Sequence, residues 1–240
     1  MVTALVVAAA ACSPPGAGRP SLTVVAAASL TEPFTEIARR FEAEHPGTEV
    51  ALAFAATPAV AHQVRAGAPA DVIAAAERAV VDALAADGLA GPVVAFATNR
   101  LAVAVAPGNP LGIRTVDDLA APGVDLVVCA PEVPCGRLAR RALAGAARPA
   151  RPRSYEPDVK AVLGRVARGE ADAGLVYATD VRAAGGRAAG VPLGAAGLVA
   201  EYGAATVTAS PAGERARAFV AFLGSPAGRR ALAAAGFELP

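Results

Sequence analysis

From Leu22 onward, the apolar residues of the chain fall into short continuous runs separated by stretches in which they recur every three or four positions. Runs of the first kind suit strands buried on both faces, and stretches of the second kind suit amphipathic helices. The runs predict strands at 22–28, 49–55, 71–75, 101–106, 125–130, 173–177 and 205–209. In the helical stretch at 31–44, Phe34, Ile37, Ala38 and Phe41 share one face while Glu36, Arg39, Arg40 and Glu42 turn away from it. Further helices are expected at 160–168, 212–223 and 226–235, the last with Ser225 as cap and Pro226 in the first turn. Strand and helix patterns in alternation imply an α/β fold with largely parallel strands. Residues 96–100 come between two complete strand–helix series. Two α/β lobes are therefore expected rather than one sheet: 22–98 together with 203–240, and 99–202. The chain would bend between them near 97–99 and 201–203.

Residues 2–11 form another apolar run, interrupted by Thr3, that stops at Cys12 and is followed by a Pro- and Gly-rich stretch to Pro20. Such a run is too short to cross a bilayer as a helix but has the length of a signal-peptide core. Ala9, Ala10 and Ala11 directly before a cysteine resemble the lipobox of bacterial lipoproteins, which makes Cys12 the expected lipidated residue and residues 1–21 an export segment and tether. The reading is of an exported protein, periplasmic or at the cell surface, touching the membrane only through that anchor.

Composition narrows the function. Of 240 residues, 55% are hydrophobic and 18% charged, enough to bury a core and too apolar for disorder. Lys and Arg number 22 against 21 Asp and Glu, so there is no basic field for nucleic acid or anionic lipid. The two histidines, His45 and His62, fall on helix surfaces, and no G-x-S-x-G, H-E-x-x-H or Walker A sequence occurs. An enzyme is not expected, and no cofactor is implied. Cys129 and Cys135 lie six residues apart without the further ligands that zinc requires. In an exported protein they are candidates for a disulfide, with two free thiols as the alternative. A ligand-sensing transcription regulator would need a helix-turn-helix segment, for which the chain has no room.

Four strand-to-helix junctions share one chemistry, since each offers hydroxyls or free backbone N–H groups at a helix start. Ser29 with Glu32 fits an S-x-x-E capping box, and Thr57 precedes Pro58 as a cap precedes a first-turn proline. Pro134 and Gly136 flank Cys135 on what reads as a stiff turn, and Asp158 caps a helix whose first N–H belongs to Val159. Helix starts carry unpaired N–H groups and about half a positive charge, which is equipment for holding an anion.

The segments Ala26–Thr31, Ala66–Val72, Val133–Gly136 and Glu170–Asp180 resemble, in order and spacing, the periplasmic molybdate-binding protein family. The resemblance spans about 22–237 and implies a two-lobed periplasmic binding protein fold of type II, with mixed sheets flanked by helices and the ligand in the cleft between lobes. It further implies a monomer that captures molybdate or tungstate and hands it to the membrane permease of a molybdate ABC transporter. In that family, two hydroxyl residues, two backbone amides and a tyrosine hold the anion. Carried over by position, these are Ser29, Thr57, Cys135, Val159 and Tyr177, where Thr57 replaces a serine and Cys135 an alanine. Molybdenum would be held as its oxyanion, with no direct cation site. A set made of donors also suits sulfate, and a binding protein for sulfate or another small anion on the same fold is the alternative reading. Phosphate, which keeps a proton near neutral pH, is disfavoured because the nearest carboxylate, Asp158, is occupied as a cap.

Overall fold

The first apolar run forms β1 (Ser21–Ala27), which pairs in parallel with β2 (Glu49–Ala55) on one side and β3 (Val72–Ala75) on the other. The computed structural model describes residues 21–194 and 197–240, so the Cys12 segment lies outside the described residues. Helix α1 (Thr31–Glu44) follows β1 and buries Phe34, Ile37, Ala38 and Phe41, the face that the spacing predicts. Helices α2 (Thr57–Arg65) and α3 (Arg78–Ala86) complete this series. Their buried residues Val60, Val64, Val81 and Leu84 form a separate small core with Val25 and Ile73.

Strand β4 (Val94–Val105) then runs for 12 residues and belongs to two sheets in succession. Its first half pairs with β9 (Val199–Thr206), from Val94 opposite Ala204 to Arg100 opposite Val199. Its second half, from Leu101, pairs with β7 (Ala173–Tyr177) and β8 (Ala189–Pro192). The second sheet continues through β5 (Leu126–Cys129) to β6 (Ser154–Glu156), both parallel to their neighbours. Helices α4 (Pro134–Ala144), α5 (Val159–Ala167) and α6 (Ala178–Ala183) flank it. The chain returns along β9 to the first sheet, where β9 lies antiparallel to β3, and ends in α7 (Gly213–Leu223) and α8 (Pro226–Ala235). Phe219 and Phe222 of α7 meet Phe41 edge-on, so the C-terminal helices pack on the first sheet's α1.

Three expectations change. Residues 96–100 are the middle of a strand rather than a boundary, because Phe96 and Ala97 are buried and Thr98 to Arg100 are hydrogen-bonded along β9. The strand read at 205–209 begins earlier, at Val199; Glu201 on its exposed side interrupts the apolar run without breaking the ladder. Strands β3, β4, β7, β8 and β9 meet antiparallel, so the arrangement is mixed rather than largely parallel.

The start of α4 sits directly against the end of β5. A methyl group on Gly136 would overlap the carbonyl of Ala130, so only glycine allows this approach. Gly136→Ala is expected to cost about 1–3 kcal/mol, as overpacking of a close backbone contact does. Urea denaturation of the two proteins measures it, and an unchanged midpoint would contradict the packing described.

Candidate functional site

A 3-10 turn, Ala28–Leu30, joins β1 to α1 and buries Ser29. The S-x-x-E pattern does not act as a capping box here: Leu30 is the cap residue of α1 and no side chain caps it. Ser29 instead places its Oγ 2.8 Å from the Tyr202 Oη. Thr57 is likewise not a cap but the first residue of α2, after Ala56. Its Oγ1 accepts the Ala76 N–H at 3.2 Å, which leaves the hydroxyl proton free to donate elsewhere. Cys135 lies in the first turn of α4 behind the cap residue Val133, a helix start rather than a stiff turn, because Pro134 has the helical φ already set. Asp158 caps α5, accepting the Ala161 N–H at 2.9 Å, and leaves Val159 as the first helical residue.

These starts converge. Ser29, Thr57, Cys135, Val159 and Tyr177 line one cavity of about 20 Å³, together with Ala27, Ala28, Ala56, Ala76, Val133, Pro134 and Asp158. Its space suits one compact group. In the first turns of α2, α4 and α5, the N–H groups of Thr57, Cys135 and Val159 have no carbonyl four residues back to receive them. Tyr177 is 1% exposed and its hydroxyl has no protein partner, an arrangement that costs about 1–3 kcal/mol unless something in the cavity accepts the proton. Burial raises the Tyr177 pKa well above its ordinary value, with Tyr202 and Asp180 adding to the effect, so the phenol is a neutral donor. The lining residues thus present donors from both sheets, and the one carboxylate among them, Asp158, spends its Oδ1 on the Ala161 N–H as the cap of α5.

Beyond the lining, each side of the cavity carries an ion pair between the two sheets' helices. Arg137 of α4 meets Glu77, which precedes α3. Lys160, next to Val159, reaches Glu32 of α1 at 2.6 and 2.8 Å and the buried Asp180 of α6 at 3.2 Å. Such pairs, partly exposed, are worth up to about 1 kcal/mol each. The disulfide joins Cys129, the last residue of β5, to Cys135, with Cα atoms 5.9 Å apart, and fixes the first turn of α4 on the strand. Among the described residues, no cluster of His, Cys, Asp and Glu could hold a cation, and no helix is long and apolar enough to cross a membrane.

Sequence reasoning missed Tyr202, Asn99 and Thr179. Asn99 Nδ2 donates to Thr179 Oγ1 at 2.7 Å and lies 3.5 Å from the Tyr202 Oη. The available signal was scarcity: the chain has three tyrosines, and a tyrosine inside a strand of small apolar residues must bring a partner for its hydroxyl. His45, expected on a helix surface, is half-buried and stacks on Phe41 at 3.9 Å, while His62 is exposed.

The comparisons with known proteins agree in kind. Residues 22–238 match the family model described as bacterial extracellular solute-binding protein. The molybdate-binding protein ModA of Mycobacterium tuberculosis is 42% identical over 228 residues, covering 94% of this chain and 87% of the relative. Among solved structures, the Azotobacter vinelandii periplasmic molybdate-binding protein superposes with TM-score 0.79 at 21% identity, covering 91% of this chain and 99% of that one. The sulfate-binding protein SubI of M. tuberculosis does so with TM-score 0.77 at 20% identity, covering 92% and 87%. At those identities the structures speak for the fold and not for the ion.

Asp180 provides a test of the buried wall behind Tyr177. Burial pushes its pKa up from 3.8 to about 6, against the opposing pull of Lys160 and of the Tyr177 N–H that it accepts at 3.2 Å. The folded protein therefore holds this proton more tightly than the unfolded chain does. Its contribution is complete below about pH 4 and is lost as the pH rises through about 6, a change of about 3 kcal/mol. Asp180→Asn removes that dependence. Urea titrations of both proteins at about pH 4 and pH 7 are expected to show the wild type losing stability relative to the variant, and parallel behaviour would refute the assignment.

Proposed function

The chain belongs to the bacterial extracellular solute-binding proteins and, among them, to the molybdate-binding proteins, and from this premise we propose that its cavity captures molybdate or tungstate for delivery to an ABC importer. It is a binding protein, not an enzyme, and needs no cofactor. The observation that carries the reading is the meeting of Ser29, Thr57, Cys135, Val159 and Tyr177 at one small cavity, every one of them a neutral donor. A tetrahedral dianion presents acceptors in all directions and carries no proton of its own. Three helix starts offer it N–H groups backed by their dipoles, and Ser29, Thr57 and Tyr177 supply hydroxyls. Hydrogen bonds to a charged group are worth about 1.5–3 kcal/mol each, which together offset the loss of the ion's water.

In this reading the protein works as two lobes, 22–98 with 203–240 and 99–202, that close over the ion. The crossing of β4 and β9 supports that division, because it is where the two sheets exchange their strands. Ser29 and Thr57 belong to the first lobe and Cys135, Val159 and Tyr177 to the second, so the ion completes a bridge between them. The protein is exported, acts as a monomer and meets the permease of a molybdate transporter with its lobes closed. Lipid attachment at Cys12 keeps it at the membrane, and nucleic acid is no partner. The second reading, a sulfate-binding protein, draws on the likeness to SubI. We place it second because sulfate is the smaller tetrahedron and would leave some of these fixed donors too far away to bond.

Calorimetry on ligand-stripped protein with a panel of oxyanions tests this. Molybdate and tungstate are expected to bind alike and to outcompete sulfate by at least about 100-fold, which takes about 2.7 kcal/mol. Ser29→Ala and Tyr177→Phe should each weaken molybdate binding by about 10- to 100-fold while the protein stays folded. Saturating molybdate should raise the melting temperature and reduce the scattering radius. Sulfate binding as tightly as molybdate would replace this reading by the second.

A further inference from the structure

We infer that Tyr202 and Asn99 are positioning residues that fix the direction of the Ser29 hydroxyl proton and thereby make the cavity reject oxyanions that carry a proton of their own. The inference rests on the reading of the cavity as an oxyanion site. Tyr202 is opposite Ala97 in the β4–β9 ladder, and Asn99, two residues on, shares that face. Ser29, Tyr202, Asn99 and Thr179 are all buried and form one polar chain from the β1–α1 turn, across the strand crossing, to α6.

Directions along this chain follow from what each group can do. An amide nitrogen only donates, so Asn99 gives one N–H to Thr179 Oγ1 at 2.7 Å and turns the other toward the Tyr202 oxygen at 3.5 Å. Turning the amide over would bury two unpaired N–H groups in place of one carbonyl oxygen, the worse outcome. Phe96, Tyr177 and Phe237 surround the Tyr202 ring edge-on at 5.2–6.2 Å; the two phenylalanines have no acceptor, and the Tyr177 hydroxyl makes no hydrogen bond to Tyr202 or to any other protein group. If Ser29 donated to Tyr202, the phenolic proton would face the Asn99 N–H. The reverse order leaves no such conflict: Tyr202 donates to the Ser29 Oγ at 2.8 Å, and the serine's own proton is left for the cavity. Burial keeps the Tyr202 phenol protonated by raising its pKa above the ordinary value.

Ser29 is therefore held as a donor. Molybdate accepts from it, whereas the O–H of a hydrogen phosphate aimed at Ser29 meets another hydrogen. Anion radius separates molybdate from sulfate, and proton direction separates it from phosphate. These are two independent filters in one site.

The test compares wild type and Tyr202→Phe at about pH 8, with molybdate titrated directly and inorganic phosphate as competitor. The variant keeps the ring and its packing but frees the serine hydroxyl to rotate. Molybdate affinity should fall by about tenfold and phosphate affinity by no more than about twofold, so that the molybdate-to-phosphate ratio drops at least about fivefold. Asn99→Asp, which puts an acceptor where the chain now has its donor, should lower the same ratio in a protein of unaltered ring packing. A ratio unchanged in Tyr202→Phe, whether both affinities fall together or neither does, overturns the inference. So does phosphate that displaces molybdate from neither protein. A wild type that binds no molybdate overturns the oxyanion reading itself, an outcome distinct from a wild type that binds and a variant that keeps its ratio.

Discussion

A doubly negative ion taken out of water must find a hydrogen-bond donor in every direction in which it exposes an oxygen, and a protein's cheapest supply of unpaired donors is the first turn of a helix. That requirement organises the fold around the cavity. Helices α2, α4 and α5 each begin at its wall, and the 3-10 turn before α1 brings a fourth start to it. Strands must therefore end at the same level in both sheets. The backbone has to come close to itself there, which is why Gly136 lies against Ala130 and why small residues such as Ala27, Ala28, Ala56 and Ala76 line the space. Neutral donors serve better than cations in such a place, because an arginine buried there would demand its own compensation whenever the site was empty of anion.

The second constraint is that the donors come from two sheets that share a strand. Strand β4 leaves one sheet and enters the other within a single extended segment, and β9 runs beside it in the opposite sense. A pair of hydrogen-bonded strands resists stretching and shear, so it holds the two sets of donors at a fixed distance. The register slip between Ala95 and Ala97 lies in this pair and marks a place where the ladder is already bent.

Much of this was legible in the sequence, and for identifiable reasons. Strands such as β1 and β7 are unbroken apolar runs, and α1 has a clean helical face, so periodicity alone located them. Ser29, Thr57, Cys135, Val159 and Tyr177 came from the resemblance to the molybdate-binding family, carried over position by position, and the strand-to-helix junctions by themselves read only as helix caps. Local rules misjudged the caps: Ser29 and Thr57 have the side chains of cap residues, yet tertiary partners, the Tyr202 hydroxyl and the Ala76 N–H, claim their oxygens instead. The crossing was harder still. Thr98, Asn99 and Arg100 read as a polar boundary because a strand that passes between two sheets loses the burial on both faces that makes other strands visible. The Asn99–Tyr202 contact joins residues 103 apart and has no signature within any local window.

Lys160 shows what the arrangement means for letting the ion go. Its ammonium is shared between Glu32, across the cleft, and Asp180, within its own sheet's layer. In the lobe opening proposed above, only Glu32 would be given up, and that carboxylate already stands half in water. The lysine would keep its buried companion, which above about pH 6 is a carboxylate and supplies the counter-charge. Separation of the proposed lobes would thus be an exchange of one hydrated partner rather than the rupture of a desolvated pair, and the clasp would add little to the barrier for unloading. The dwell time of the cargo is then set by the bonds made to the cargo itself, which is what a carrier needs if the transporter that receives it is to govern the moment of release.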